Sequence, residues 1–263
     1  MTDISKNPET AYDRIERDAR ELKLNLSKEE LAVLADENHY SDKDISLIEE
    51  MFDYLVKRRK ESIAETCLKL SRLPRTNPKT FDNFDFNRLH GNDVEKLKAL
   101  RNLAPLYEHH NIAFIGSQGI GKTHLAMAFG HRCCELGIKT YFLTSSELNE
   151  KLNQAKRYGR TANVINGLVK PSCLIIDEIG RCCFDAENTR ILFDIINRRT
   201  NKEGPHCLIL TSNKTPDTWG SYFEEKDTTL CTLDRIFDDA IVYMMKGPSY
   251  RGQKLQTLAV EAQ

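Results

Sequence analysis

The sequence reads Gly116-Ser117-Gln118-Gly119-Ile120-Gly121-Lys122-Thr123 over eight residues, which is the pattern G-x-x-x-x-G-K-T. Glycines at these positions let the main chain fold into a nest whose amides face phosphate oxygens, and the helix that follows adds its positive N-terminus. In this pattern Lys122 neutralises the charge of the β- and γ-phosphates, and the Thr123 hydroxyl coordinates Mg²⁺. The apolar run 112–115 supplies the preceding strand, and residues 124–134 read as the helix. The stretch therefore predicts a site for ATP and Mg²⁺.

Short, continuous apolar runs surround this loop at regular distances along the chain. Helix-length segments separate four of them: 112–115, 140–143, 173–176 and 207–210. Unbroken apolar strands that alternate with helices are typical of a parallel sheet covered on both faces. The sequence therefore predicts an α/β fold with a central parallel sheet between helices.

Two carboxylates end the third of these runs. Asp177 and Glu178 follow Leu174-Ile175-Ile176, 54 residues after Thr123. An Asp in this position lies beside the P-loop and holds magnesium, usually through a water molecule. Glu178 is then placed to polarise the attacking water as general base. The spacing favours a hydrolytic site over a pair of solvated acids at a strand end.

A polar residue also follows the next run, in Thr211-Ser212-Asn213. Asn213 can hydrogen-bond the γ-phosphate or orient the water between the P-loop and Glu178, the role called sensor 1. The alternative is a turn-forming Asn before Lys214-Thr215-Pro216.

The segment before the P-loop domain is helical and charged. Ser27 and Glu30 form the S-x-x-E pattern of a capping box, and apolar residues from Ile45 to Leu70 recur at helical spacing. Residues 74–80 contain two prolines and read as a linker. We expect a small all-α domain over residues 1–73, a linker over 74–80 and the ATPase domain over 81–263.

Bulk properties indicate an ordinary globular protein, with 40% hydrophobic and 29% charged residues. No apolar run approaches the length of about 18 residues that a membrane span needs. The N-terminus lacks the apolar core of a secretory signal, so we expect a cytoplasmic protein. The eight cysteines show no zinc-ligand spacing, and we expect them to be reduced and structural.

Positive charge is concentrated locally although the net charge is only −1. Residues 57–79 hold eight basic and two acidic side chains, and residues 151–160 hold no acid next to their basic ones. Such patches can track DNA phosphates without reading sequence, although charge runs are commonly solvated helix faces. Tyr158 could stack on a base, but packing is favoured. The candidate DNA contacts are Lys57, Arg58, Arg59, Lys60, Lys156, Arg157 and Arg160.

The motifs taken together resemble a known family, the IstB/DnaC group of AAA+ ATPases, over about residues 50–255. Within that group the IstB-type transposition helper proteins of insertion sequences fit better than the DnaC-type helicase loaders. Besides the P-loop and the acidic pair, the resemblance rests on these stretches: Phe81-Asp82-Asn83-Phe84-Asp85-Phe86, Leu192-Phe193, Arg198-Arg199, Trp219, Leu233-Asp234-Arg235-Ile236 and Ser249-Tyr250-Arg251.

The resemblance implies two arginine roles. Arg235 matches the arginine finger that reaches the γ-phosphate held by a neighbouring subunit, and Arg251 matches a sensor-2-like contact to nucleotide. A surface ion pair for Arg235 and plain solvent exposure for Arg251 are the alternatives, and Arg198 and Arg199 are rivals for the finger. Only about 50 residues follow Asn213, so we expect a reduced C-terminal lid.

The resemblance also implies a function. We expect an ATPase, stimulated by DNA and by a partner, that assembles with ATP as a ring or spiral on duplex DNA. It would select or remodel target DNA, recruit or activate a transposase, and use hydrolysis for release. A helicase loader that binds single-stranded DNA is the first alternative. An ATPase or kinase that acts on a small molecule is the second, although no substrate motif supports it.

Overall fold

The computed structural model describes residues 9–91, 93–224, 226–247 and 249. The chain divides into two compact units, Met1–Glu65 and Thr66–Gln263. This division falls within one long helix, whereas the sequence placed the domain boundary at residue 73. No helix in the described ranges has both the length and the apolar character of a bilayer-spanning segment.

Three helices form the first unit: α1 (Ala11–Glu21), α2 (Lys28–Glu37) and the 29-residue α3 (Asp42–Leu70), which continues into the second. The capping box predicted at Ser27 and Glu30 is present, and Thr10 with Asp13 forms another at the start of α1. Each box satisfies amides that have no partner inside the helix. A small apolar core holds the three helices together through Ile15, Ala19, Leu31, Ala35, Ile45 and Phe52.

A five-stranded parallel sheet is the centre of the second unit. Its strands are β1 (Ile112–Gly116), β2 (Thr140–Thr144), β3 (Cys173–Ile179), β4 (Cys207–Ser212) and β5 (Ile241–Met245). They lie in the order β2-β3-β4-β1-β5. The prediction of a central parallel sheet is therefore confirmed. Strand β4 separates β3 from β1, so the acidic pair is not on the strand next to the P-loop strand.

Helices cover both faces of this sheet, because alternate residues of the buried strands point to opposite sides. One face packs against α6 (Lys122–Glu135) and the segment before β1, and the other against α7 (Ser145–Arg157), α8 (Thr161–Val169), α9 (Ala186–Thr200) and α10 (Lys226–Phe237). Short helices α4 (Val94–Ala99) and α5 (Ala104–Tyr107) precede β1. Three 3₁₀ turns, at Phe86–Arg88, Leu100–Asn102 and Pro216–Tyr222, complete the described elements.

The segment predicted as a linker, residues 74–80, has no regular secondary structure, and buried residues of the second unit lie on both sides of it. Leu73, Phe81 and Phe84 are each less than 10% exposed and belong to the apolar core that contains α6. Residues 74–80 therefore lie between buried anchors. The predicted reduced lid follows β5 and falls largely outside the described residues.

Candidate nucleotide-binding site

The loop between β1 and α6 folds as its glycines require. Gly116, Gly119 and Gly121 have φ angles of 152°, 79° and 102°, which side chains with a Cβ rarely adopt. Helix α6 begins at Lys122, so its N-terminal amides lie directly behind the loop. A cleft with a volume of about 620 Å³ opens over this loop. Its position is that of a phosphate site at a helix N-terminus.

Lys122 lines this cleft and is only 6% exposed. Its Nζ donates hydrogen bonds to the Gly116 carbonyl at 2.9 Å, the Ser117 carbonyl at 2.7 Å and Asn213 Oδ1 at 2.7 Å. The structure thus brings Asn213 to the lysine from 91 positions along the chain. These neutral acceptors hold the ammonium among the loop amides, where phosphate oxygens can take their place.

Asp177 lies beside the P-loop, as the sequence predicts. Thr123 Oγ1 donates to Asp177 Oδ1 at 2.9 Å, and the Thr211 hydroxyl donates to the same oxygen. Burial raises the pKa of the Asp177 carboxyl, although the two hydroxyls act in the opposite direction. A hydroxyl and a carboxylate side by side are the hard oxygen ligands that Mg²⁺ prefers, and Mg²⁺ commonly keeps waters and substrate phosphates as its other ligands. Thr123 and Asp177 therefore fit the ion.

Glu178 lines the same cleft in an uncommon main-chain conformation. Its φ is 61°, in the left-handed region, where a residue with a side chain pays about 1–3 kcal/mol. Its carboxylate accepts a hydrogen bond from Arg181 at 2.7 Å. A strained conformation of this kind persists only where the surrounding contacts hold the residue in place, and such residues cluster at functional sites.

Arg235 lies away from this cleft, near the C-terminal end of α10. Its exposed guanidinium stands 5.4 Å from the Phe193 ring centroid. Strand β5 starts six residues after Arg235, and its first residue pairs with Ile112, the first residue of β1. The P-loop begins at the other end of β1, at Gly116. The two ends of β1 are about 13 Å apart at the usual rise of a strand. In the described residues Arg235 makes no ion pair with Asp234, Asp238 or Asp239.

The two rival arginines have structural partners. Arg198 pairs with Asp194 at 2.9 Å on its own helix. Arg199 is 3% exposed, and its guanidinium donates to the carbonyls of Leu168, Val169, Pro171, Ser172 and Cys207. Burial lowers the pKa of Arg199 to about 10. A side chain enclosed in this way cannot reach another subunit. Arg251 lies outside the described residues.

One wall of the cleft was not foreseen from the sequence. It is formed by part of the predicted linker and the residues that follow, including Pro74, Asn77, Lys79 and Phe84. The Phe84 ring packs edge-on against His124, with centroids 5.1 Å apart. His124 Nε2 lies 2.9 Å from the Thr80 carbonyl, and burial lowers the pKa of this histidine. The available signal was the group of three phenylalanines at 81, 84 and 86, of which the first two are buried.

Replacing Gly121 with Ala is expected to weaken ATP binding about tenfold or more, because main-chain strain of order 1–3 kcal/mol adds to a steric conflict. The φ of 102° disfavours alanine, and the new Cβ would lie 2.7 Å from a Phe84 ring carbon. Titration with a fluorescent ATP analogue measures the effect. Gly204→Ala is the matched control, since it has a φ of 75° but nothing within 4 Å of the added carbon. Wild-type affinity in Gly121→Ala would contradict this account of the loop.

The candidate DNA contacts of the helical unit are largely engaged within that unit. Arg59 donates to the Leu22 carbonyl at 2.6 Å, which satisfies the end of α1, and Lys60 pairs with Glu21 at 2.7 Å. Arg58 pairs with Glu61 at 3.2 Å on an exposed helix face. Lys57 makes no ion pair with the described residues. Their contact with DNA stays a prediction.

The second basic cluster divides into one paired and two solvent-exposed cations. Lys156 contacts Asp185 at 3.0 Å and Glu187 at 3.4 Å, and its side chain is only 19% exposed. Arg157 and Arg160 are exposed and make no ion pair in the described ranges. Tyr158, between them, is 65% exposed, so the interpretation of this ring as a packing residue is wrong.

These features define the class of the protein. A parallel sheet of order β2-β3-β4-β1-β5, a P-loop after β1, an acidic pair on β3 and a polar residue after β4 are those of an AAA+ P-loop ATP-binding protein. The chain belongs to the family of IstB-like ATP binding proteins, whose family model matches residues 18–257.

Relatives in this family come from bacterial insertion sequences. The chain is 35% identical to the protein named as an ATP-binding protein of IS5376 from Geobacillus stearothermophilus, over 91% of this chain and 94% of the relative. It is 34% identical to that of IS21 from Pseudomonas aeruginosa, over 71% and 69% of the two chains.

Solved structures show the same fold at low sequence identity. A crystal structure of DnaI has a TM-score of 0.57 at 18% identity, and the match covers 73% of this chain and all of that one. AMPPCP-bound DnaA from Aquifex aeolicus has a TM-score of 0.55 at 19% identity, over 67% and 51%. The chain is thus an ATP-binding AAA+ protein related to the ATP-binding proteins of insertion sequences.

Proposed function

We propose that this protein is an ATP-dependent, DNA-binding helper of transposition. With ATP it would assemble as a ring or spiral on duplex DNA, select or remodel the target, and recruit or activate the cognate transposase. Hydrolysis would then drive release. The observation that carries the proposal is the position of Arg235 near the N-terminal ends of the parallel strands, whereas its own P-loop lies at their C-terminal ends. The names of the insertion-sequence relatives support the link to transposition.

The cleft would supply one subunit's share of the groups that hydrolyse ATP. The residues Gly116, Ser117, Gln118, Gly119, Ile120, Gly121, Lys122 and Thr123 would bind the triphosphate. Thr123 and Asp177 would hold Mg²⁺, which when bound neutralises developing phosphate charge. Glu178 would take the proton of the attacking water, and Asn213 would orient that water or contact the γ-phosphate. The buried wall at Phe84 and His124 would shield the bound nucleotide from solvent.

Completion of this site requires a second copy of the chain. Charge that develops on the transferred phosphoryl group is stabilised strongly by an arginine finger, and such a residue can come from another molecule. Arg235 is exposed and cannot serve the P-loop of its own subunit from the far end of β1. We therefore assign it to the site of a neighbour, and assign Arg251 a nucleotide contact from the C-terminal side.

Size-exclusion chromatography with light scattering, followed by electron microscopy, tests this function. The protein is mixed with ATP or ADP and with duplex or single-stranded DNA of equal length. The proposal requires large assemblies only with ATP and duplex DNA. A monomer under all four conditions would eliminate the assembly and the finger together. A preference for single-stranded DNA would favour a helicase loader instead.

The exposed cations Arg157 and Arg160, at the end of α7 and just after it, should contribute more to DNA binding than the paired Lys156. The double replacement of Arg157 and Arg160 by Ala is expected to weaken duplex binding and reduce the salt dependence by about two counterions. Lys156→Ala should change both quantities less, because Asp185 and Glu187 already neutralise Lys156. Fluorescence anisotropy at several salt concentrations with ATP measures both slopes. An unchanged slope in the double variant would remove this surface from the DNA contact.

A further inference from the structure

The main chain at Glu178 leaves the regular hydrogen-bond ladder of the sheet. Register along β3 and β4 pairs Ile176 with Leu210 and then Ile179 with Ser212. Asp177 and Glu178 therefore stand opposite the single residue Thr211, which is the arrangement of a β-bulge. A bulge leaves its extra residue without ladder partners. The amide and carbonyl of Glu178 consequently need other groups to bond them.

Two side-chain hydroxyls, one on β4 and one at the start of α7, bond these groups. Thr211 Oγ1 of β4 accepts from the Glu178 amide at 3.0 Å. On the other side, Ser145, the residue after β2, donates its Oγ to the Glu178 carbonyl at 2.7 Å. The same carbonyl also accepts from the Arg181 amide at 3.1 Å in the turn that follows. We call Ser145 and Thr211 the hydroxyl clamp.

The hydroxyl clamp is enclosed in the protein. Ser145 is 0% exposed and Thr211 is 1% exposed, so water cannot readily replace either bond. Ser145 is further fixed as the first residue of α7, next to the capping box of Thr144 and Glu147. Thr211 spans the acidic pair, because its hydroxyl also donates to Asp177. Ser145 Oγ in turn accepts from Cys182 Sγ at 3.8 Å. Together the two hydroxyls bond the amide and the carbonyl of Glu178.

The conformation that the clamp holds is one that glutamate does not prefer. At a φ of 61° the side chain leaves the main chain in a direction different from that of an extended residue. Without the two bonds, the strained residue would relax towards negative φ, and its carboxylate would move relative to Lys122 and Asp177. Displacements of about 1 Å at a reacting group can lower a rate about 100-fold.

We infer that Ser145 and Thr211 are positioning residues for Glu178, whose two hydroxyls set the direction of its carboxylate in the nucleotide cleft. The inference rests on the proposed role of Glu178 as the base. Neither residue touches the phosphate groups in this assignment. Ser145 acts through the main chain of the glutamate, and Thr211 bonds both that main chain and the Asp177 carboxylate.

The first test replaces Ser145 with Ala, which removes the bond to the Glu178 carbonyl and the weaker contact from Cys182 Sγ. It leaves Asp177, Lys122 and Thr123 untouched. We expect kcat to fall about tenfold or more while the KM for ATP and the affinity for a nucleotide analogue stay within about twofold. Ser71→Ala is the matched control, since Ser71 is also 0% exposed and donates to the Leu68 carbonyl at 2.8 Å, outside the cleft. The control should lower the thermal midpoint Tm similarly but keep the wild-type kcat.

A double variant separates positioning from general loss of structure. In a Glu178→Gln background, addition of Ser145→Ala should lower the residual kcat no further, although its effect on Tm should persist. If the two replacements multiply in kcat, Ser145 does not act through Glu178 and the inference is overturned. A wild-type kcat in Ser145→Ala overturns it equally.

Thr211 provides a second pair of variants should Ser145→Ala fold poorly. Thr211→Ser keeps the hydroxyl and should retain most of the kcat, whereas the nearly isosteric Thr211→Val should lose it. Because Val also removes the bond to Asp177, the Mg²⁺ concentration that gives half-maximal rate is measured as well, and the clamp requires it to stay within about twofold of the wild type while kcat falls. Equal rates in these two variants would contradict the clamp. Failure of the underlying function has a different signature: Glu178→Gln would then turn over like the wild type, whatever the clamp variants do.

Discussion

Glu178→Gln is expected to lower kcat about 100-fold or more while the protein still binds ATP and DNA, because loss of a general base costs about 10²–10⁴ in rate. Gln matches the shape of Glu but cannot accept the proton of the attacking water. Binding should survive because the phosphate-facing contacts come from Lys122 and the loop amides. The Glu178 carboxylate pairs instead with Arg181.

Steady-state ATP hydrolysis with and without duplex DNA measures this effect, and analogue titration measures binding. Glu203→Gln is the control, since Glu203 is an exposed acid in the turn between α9 and β4. The Glu178 variant should also give longer-lived assemblies on DNA, as hydrolysis would no longer release them. Unchanged turnover would exclude Glu178 as the base.

Arg235→Ala is expected to lower kcat about 1,000-fold, the lower end of what an arginine finger supplies. The affinity of each subunit for ATP should change little, because Arg235 and the P-loop of the same subunit lie at opposite ends of the parallel strands. Arg198→Ala is the matched control on a neighbouring helix, and it should keep the wild-type rate. Hydrolysis is measured under conditions that support assembly on duplex DNA.

A mixing experiment distinguishes action on a neighbouring subunit from action within one subunit. Lys122→Ala disables the P-loop of one variant but leaves its finger, whereas Arg235→Ala disables the finger but leaves its P-loop. Each alone should be nearly inactive, and an equimolar mixture should regain activity at the interfaces that combine the two intact parts. A mixture no more active than its components would show that Arg235 does not act across an interface.

The sheet was largely predictable because buried parallel strands have continuous apolar sequences. The four predicted runs became β1 to β4. Strand β5 was missed, although Ile241–Met245 is itself an apolar run. The P-loop was predictable for a different reason: its geometry is local and depends on glycines at fixed positions. Its role, like those of Asp177 and Glu178, stays a proposal.

Contacts between distant parts of the chain could not be predicted from spacing. The bond between Lys122 and Asn213 and the bulge at Glu178 depend on how three strands align. For Arg199 a signal existed: it continues the buried stripe of Leu192, Ile195 and Ile196 on α9 at helical spacing. Its neighbour Arg198 lies off that stripe, so helix phase would have separated the two candidate fingers.

The linker prediction rested on prolines and polar residues, and it did not consider the apolar residues on either side. Pro74 and Pro78 disfavour regular structure, and Leu73 and Phe81 anchor the segment in the core of the second unit. Irregular structure and packing are independent properties. A segment of this type can therefore form the wall of a binding cleft.

The separation of Arg235 from its own P-loop has a consequence for kinetic order. If every working site is shared by two molecules, the rate per molecule depends on how often copies meet, and saturation with ATP alone does not produce turnover. DNA that gathers copies along its length raises their local concentration and so starts the reaction. The rate of ATP hydrolysis by such an enzyme depends on how many copies are bound side by side on one DNA molecule. Hydrolysis begins only when enough copies are bound there.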